Sequence, residues 1–254
     1  MIKKIIFLLS LIISQSSFAT LVPKSNHTTT VETKVIYSKI HYIDKKAFYT
    51  VDISVPTITT NKSTKLLDKT IHAKVNQVLE NFKSGLTSPE ELQKLHDSNP
   101  NAPTLDAKNN TLDIHYDIVS ILNDIVSIRF KVMSFYYMQA HPNNTVFTIN
   151  YDLNQNKSLS LSDLFKDKPN FLELIADYCK KQLENSAIAQ YSDPAWITKG
   201  TAANEKNYDN WSLTPKGLLF TFDTYQVAAY VAGQPTILIP YNELINKMGM
   251  HPIS

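Results

Sequence analysis

The sequence predicts an α+β protein in which two lobes of antiparallel sheet are packed with a few helices. Strand patterns come in consecutive runs, the longest from Thr111 to Leu153, and helical patterns stand apart from them without regular β–α–β alternation. The chain has 254 residues and one cysteine, so it can bury sizeable cores but cannot form an internal disulfide.

Residues 1–19 have the three parts of a secretory signal peptide. Lys3 and Lys4 give a positive start, an apolar stretch runs from Ile5 to Ile13, and Ser17-Phe18-Ala19 offers small residues for cleavage. A membrane-spanning helix needs about 20 apolar residues, which makes an uncleaved anchor the weaker alternative. We therefore expect cleavage after Ala19 and a periplasmic or secreted mature chain, with residues 20–30 as a flexible lead-in.

The charge balance argues against two classes of partner. The formal net charge is +2, and removal of residues 1–19 takes away two lysines and no acid, which leaves 23 basic and 23 acidic residues. Arg129 is the only arginine. Binding to nucleic acid or to an anionic membrane surface favours a basic field, so we expect neither.

The first lobe is predicted to cover residues 31–155. It begins with a hairpin of strands 33–40 and 47–55 that turns at Asp44-Lys45-Lys46. A helix at 63–84, capped by Asn61 or Ser63 and ended by Gly85, is indicated by an apolar stripe: Leu67, Ile71, Val75, Val78 and Phe82. A second helix starts with the capping box Ser88-Pro89-Glu90-Glu91, and three strands at 111–122, 125–138 and 145–153 then form a meander.

The second lobe is predicted to cover residues 156–250. A helix at 170–187 buries Cys179 on its apolar face, so we expect an inert thiol. Residues 190–210 are predicted to be an exposed loop. A hairpin at 211–222, a strand at 236–240 and a closing helix at 241–248 complete the lobe.

No sequence motif of a hydrolase, a phosphate-binding loop or a zinc protease is present, so we predict no catalytic residues and no cofactor. Asp113 and His115 share one face of a strand, a pattern that fits a metal pair but fits a polar outer face better. Two aromatic segments are candidates for partner contacts, or alternatively cover one end of a core: Tyr136, Tyr137 and His141 in one, and Asp223, Tyr225 and Tyr230 in the other.

Three segments, at 136–143, 147–165 and 219–244, resemble in order and spacing a family of extracytoplasmic bacterial domains of unknown function. This family is the RsiV/PdaC type, which includes the extracellular domain of the RsiV anti-sigma factor and the N-terminal region of the PdaC peptidoglycan deacetylase. The resemblance covers about residues 30–250. It implies a two-part α+β fold whose second lobe is similar to a subdomain of Hsp70-type ATPases.

The resemblance also implies a role at the cell wall, with Tyr225 and Tyr230 as partner contacts. This chain departs from the family at Met138-Gln139, where two glycines are usual, and at Thr224, where proline is usual. Since no membrane helix or sigma-binding segment precedes the domain and no deacetylase domain follows it, we expect neither RsiV-type signalling nor deacetylation. The leading hypothesis is a non-catalytic envelope binding module for lysozyme or a peptidoglycan-related ligand. A structural or assembly protein that binds another envelope protein is the alternative, and an envelope hydrolase comes third.

Overall fold

The computed structural model describes residues 36–45, 49–99, 110–165 and 167–251. The predicted signal peptide, the lead-in and residue 46 of the predicted first turn lie outside these ranges. The prediction that Asp44 and Lys45 belong to that turn is wrong, because both residues end the first strand and pair with Val51 and Thr50. Among the described residues, no helix combines the length and the apolar character needed to cross a membrane.

The first sheet has six strands in sequence order. They are β1 (Ile36–Lys45), β2 (Thr50–Thr59), β3 (Thr111–Leu122), β4 (Ile125–Phe135), β5 (Asn143–Asp152) and β6 (Lys157–Ser158). The α+β class and the meander of β3 to β5 are confirmed. The antiparallel description needs one correction, because β2 and β3 pair in parallel. The segment between them contains two helices and returns the chain to the end of the sheet where β2 begins. As a result β3 runs in the same direction as β2.

Helices α1 (Lys65–Ser84) and α2 (Pro89–Ser98) lie in that segment. The predicted stripe of α1 packs against β2–β4, with Leu67, Ile71 and Phe82 almost fully buried. The capping box of α2 is present, since the Glu91 N–H donates to Ser88 Oγ (3.2 Å) and the Ser88 N–H donates to Glu91 Oε2 (3.0 Å). The predicted cap of α1 is wrong, because the helix begins after Thr64, without a side-chain cap.

The second sheet is antiparallel, in the order β7 (Trp211–Thr214), β8 (Gly217–Thr221) and β9 (Thr236–Pro240). Helices α3 (Phe171–Glu184), α4 (Pro194–Gly200) and α5 (Tyr241–Asn246) accompany it. The prediction of an exposed loop at 190–210 is wrong. Asp193 caps α4 by accepting from the Trp196 N–H (2.8 Å), and Ile197 is buried in the second core.

The core of the second sheet contains Cys179 on α3, which is fully buried. Burial raises the pKa of this thiol, because a thiolate would lose its hydration there. The thiol is therefore protonated at neutral pH, in agreement with the prediction of an inert cysteine.

Buried polar side chains join the two sheets where β7 crosses the outer face of β3–β5. Ser120 Oγ donates to the Leu213 carbonyl (2.6 Å), and Asn150 Nδ2 donates to the Trp211 carbonyl (2.9 Å). The Leu213 N–H donates to Ser127 Oγ (3.0 Å), which in turn donates to Asn150 Oδ1 (2.5 Å). These bonds hold β7, the first strand of the second sheet, against β3–β5. The predicted division of the chain at residues 155/156 stays a prediction.

Candidate functional site

Three of the predicted contact residues meet where the loop after β8 lies beside the start of β5. His141 precedes β5, and its ring stacks on Tyr230 with centroids 3.9 Å apart. The hydroxyl of Tyr225 hydrogen-bonds His141 Nε2 (3.0 Å), and the centroids of Tyr225 and Tyr230 lie 5.8 Å apart. We call His141, Tyr225 and Tyr230 the aromatic cluster. It joins two distant segments, since His141 lies 84 positions before Tyr225 in the chain.

Asp223 and Asn144 hold this cluster in place. The Asp223 carboxylate accepts the Val146 N–H (2.8 Å) from β5, and Asn144 Nδ2 donates to the Tyr230 hydroxyl (3.2 Å). Burial raises the pKa of Asp223, and the Val146 hydrogen bond partly offsets this effect. The structure thus uses Asp223, a predicted contact residue, to position the loop against β5.

Two turns of the same design flank the cluster. In one the Gln139 N–H donates to the Tyr136 carbonyl (3.0 Å), and in the other the Gln226 N–H donates to the Asp223 carbonyl (2.9 Å). Each glutamine also accepts, through Oε1, the N–H of the first residue of its turn (3.1 Å in both). The third residue of each turn has a left-handed backbone, with φ of 66° at Met138 and 69° at Tyr225. This is type II geometry, which normally favours glycine at that position.

Tyr136 and Tyr137 have contacts with the first lobe. The Tyr136 ring packs on Phe82 of α1, with centroids 5.3 Å apart, and burial raises its pKa. A Cβ atom at Gly85 would lie 3.0 Å from this ring, so the glycine that ends α1 leaves room for it. The Tyr137 N–H donates to Asn110 Oδ1 (2.8 Å). These contacts anchor the first turn to α1 and to the start of β3.

Exposed apolar side chains surround the aromatic cluster. Tyr225 is 47% exposed, and Val231 on the same loop is 69% exposed. Met138 in the first turn is 63% exposed, and Tyr191, whose carbonyl accepts the Ala229 N–H, is 39% exposed. We call Val231, Met138 and Tyr191 the apolar rim.

A groove of about 620 Å³ opens on the α4 side of Tyr225. Its lining includes Asp193, Trp196, Lys199, Asn207, Tyr225 and Gln226. Trp196 Nε1 donates to the Tyr225 carbonyl (3.0 Å) and so supports the left-handed residue. We name this feature the Trp196 groove. Sequence reasoning missed it because it assigned the residues of α4 to a loop, although Asp193-Pro194 is a helix-start signal.

A smaller crevice of about 300 Å³ is lined by Asp113, His115, Lys131 and Asn144, among others. Burial, and to a lesser extent the neighbouring Asp52, raise the pKa of Asp113. Asp113 and His115 share the outer face of β3, as predicted. Within the described part of the chain, no three histidine, cysteine, aspartate or glutamate side chains are grouped so that they could hold a metal ion.

Comparison with known proteins supports part of the predicted resemblance. Residues 162–242 match a family model described as "Protein of unknown function (DUF3298)". This segment contains α4, the second sheet, Tyr225 and Tyr230. The chain is 32% identical over 133 residues to the peptidoglycan-N-acetylmuramic acid deacetylase PdaC of Bacillus subtilis. That match covers 52% of this chain and 28% of PdaC.

One solved structure is similar in fold, and a second gives a weaker match. A DUF3298 family member from Bacteroides fragilis superposes with a TM-score of 0.61 at 15% identity, over 84% of this chain and 93% of that one. A DUF3298 family protein from Pseudomonas aeruginosa gives a TM-score of 0.49 at 20% identity, over 86% and 93%. The PdaC-type resemblance is therefore supported, whereas the likeness to RsiV and to Hsp70-type ATPases stays a prediction.

Proposed function

We propose that this protein is an exported binding module of the cell envelope that contacts a peptidoglycan-related ligand without catalysing a reaction. The observation that carries the proposal is the aromatic cluster, which two distant segments build beside the apolar rim. The predicted signal peptide and the similarity to a protein named for peptidoglycan support the location and the class of ligand.

The cluster has the properties of a preorganised contact surface. Tyr225 keeps a left-handed backbone, which costs a residue with a side chain about 1–2 kcal/mol. Bonds from Trp196 and His141 hold it there while its ring stays accessible. Strain of this kind persists where the surrounding structure imposes it, and it concentrates at functional sites. Rings fixed before binding lose little entropy on contact with a ligand.

The groups of the cluster favour binding over acid–base chemistry. It presents two phenol rings, an imidazole and the amide of Asn144. The carboxylate of Asp223 beside it accepts a backbone N–H. A hydrolase needs a positioned acid and base that reach the scissile bond together.

Co-sedimentation with purified insoluble peptidoglycan tests the proposal. We expect the mature chain to pellet with the peptidoglycan and to stay in solution without it. Calorimetry with soluble lysozyme and cross-linking in intact cells test the two alternative partners, lysozyme and another envelope protein. If the chain stays in the supernatant and binds only one of these proteins, the peptidoglycan proposal is wrong.

The absence of catalysis needs its own measurement, because PdaC is named as a deacetylase. Acetate released from peptidoglycan by the mature chain, with and without added divalent metal, is the readout. We expect no more release than in buffer. Time-dependent release that scales with protein concentration would contradict the non-catalytic part of the proposal.

A further inference from the structure

The Trp196 groove combines aromatic and polar surface in a way that identifies a ligand class. Trp196 is partly exposed and Tyr225 is 47% exposed, so both rings offer area to a ligand in the groove. Its volume of about 620 Å³ lies within the usual range for sites that bind small molecules.

Polar atoms that can still form hydrogen bonds with a ligand line the same groove. Asp193 accepts the Trp196 N–H through Oδ1, which leaves Oδ2 open to a ligand. Asn207 Nδ2 donates its hydrogens to the carbonyls of Ala202 (2.9 Å) and Lys199 (3.4 Å). Its Oδ1 atom is therefore open to a ligand as an acceptor. The Lys199 ammonium has no ion-pair partner among the side chains that the structure describes. The groove thus offers two acceptors and one donor group, and its formal charge is zero.

This combination excludes several ligand classes. A phosphate or a nucleotide calls for an excess of positive charge, and a purely apolar ligand would leave the open polar atoms unpaired. A neutral sugar chain carries hydroxyl groups that both donate and accept, and it has apolar C–H faces that pack on aromatic rings. We infer that the Trp196 groove binds a neutral saccharide chain, with Trp196 and Tyr225 as its ring contacts. This inference deepens the proposed function, on which it rests for the biological source of the sugar.

The groove is also rigid enough to recognise a ligand. A Cβ atom at Gly200 would overlap the Gln226 carbonyl oxygen, so the end of α4 packs directly on the second turn. Gln226 Nε2 then donates to the carbonyls of Gly200 (3.1 Å) and Asn207 (3.0 Å). Three separate segments of the groove wall are fixed to one another by a single side chain. Preorganisation of this kind lowers the entropic cost of binding.

Tryptophan fluorescence provides a direct test with the soluble tetramer of N-acetylglucosamine as the probe. The chain has two tryptophans, and Trp211 is only 4% exposed. We expect a saturable change in emission that the Trp211→Phe variant keeps and the Trp196→Phe variant loses. Affinity measured by calorimetry falls about tenfold or more in Trp196→Ala, as for an aromatic hot spot. It stays nearly constant between low and high salt, because the ligand is neutral.

Leu66→Ala, at an exposed position on α1, is the matched control and leaves the affinity unchanged. Thermal unfolding shows whether Trp196→Ala is folded. If it is not, Lys199→Ala replaces it, with an expected loss of affinity from the missing donor.

The outcomes separate this inference from the proposed function. A chain that pellets with peptidoglycan but does not bind the tetramer overturns the saccharide inference and leaves the proposed function standing. A chain that binds the tetramer but does not pellet overturns the proposed function alone. Tetramer binding that is equally strong in wild type, Trp196→Ala and Lys199→Ala places the sugar elsewhere and overturns the inference.

Discussion

Single residues in the two flanking turns carry backbone strain next to the aromatic cluster. Met138 and Tyr225 both occupy the third position of a type II turn with positive φ. A side chain there crowds the backbone, whereas glycine does not. The strain at Met138 affects stability, and the strain at Tyr225 also holds a ring in the proposed contact surface.

Met138→Gly tests the strain directly. We expect it to stabilise the protein by up to about 1 kcal/mol, because relief of the left-handed strain exceeds the entropic cost of glycine. Urea unfolding gives the free energy. Met133→Gly is the control, since Met133 lies inside β4, where glycine weakens a strand. Equal destabilisation of both variants would show that Met138 is not strained.

Asp223 predicts a pH dependence of stability. Its pKa is raised by burial, so it contributes stability below its unfolded pKa, and this contribution is lost as pH rises through the folded pKa. Asp223→Asn keeps an acceptor for Val146 and removes the charge. We expect this variant to be at least as stable as wild type at neutral pH, with an advantage that shrinks as the pH falls below the folded pKa of Asp223.

Asp223→Ala is the contrasting variant. It leaves the Val146 N–H without its acceptor and costs about 1–3 kcal/mol at either pH. Unfolding curves at neutral and acid pH measure all three proteins. An advantage of the asparagine variant that grows on acidification would contradict the account.

At the scale of elements, the second turn (residues 223–226) has a threonine at one position where the family that the sequence resembles usually has proline. Thr224 is the second residue of a type II turn, a place that proline favours. Its hydroxyl is buried without a hydrogen-bond partner among the described residues. Its N–H is not a donor in the backbone hydrogen bonds of the described turns and loops. Nothing in these contacts requires threonine.

Thr224→Pro is therefore expected to stabilise the protein by about 0.4–1 kcal/mol. The ring restricts the unfolded chain and removes the unpartnered hydroxyl. Chemical denaturation is the measurement, with Thr87→Pro, outside the turn, as a control that gives no such gain. A clear loss of stability in Thr224→Pro would mean that the turn is not of type II.

Long periodic elements were predictable from sequence, whereas contacts between distant residues were not. The stripe of α1, the capping box of α2 and the meander are local patterns that fix their own structure. The seven-residue helix α4 is too short to show a periodic stripe. Aromatic density pointed to Tyr225 and Tyr230, but the Trp196 groove depends on a bond between residues 29 positions apart.

At the scale of the whole molecule, the polar junction between the sheets places the aromatic cluster. Ser120, Ser127 and Asn150 are buried, and all three bond to the β7 backbone. A buried network of this kind is costly to break, because each group left alone keeps its full desolvation penalty. The junction therefore couples the stability of the fold to the position of the loop after β8.

Asn150→Ala removes the donor to the Trp211 carbonyl and the acceptor for Ser127. We expect a loss of about 2–3 kcal/mol in the free energy of unfolding. In a double-mutant cycle with Ser127→Ala the two losses are not additive, because the side chains bond to each other. Asn143→Ala, at an exposed site on β5, is the control. Additive losses would show that the two residues act independently.

The central claim is that the chain binds the envelope through the surface around Tyr225. Co-sedimentation of two double variants with peptidoglycan tests it most directly. Tyr225→Ser with Val231→Ser changes the aromatic cluster and the apolar rim, and Leu238→Ser with Ile245→Ser changes exposed apolar residues on β9 and α5. We predict that the first variant stays in solution while the second pellets like wild type. Equal pelleting of both folded variants would contradict the claim.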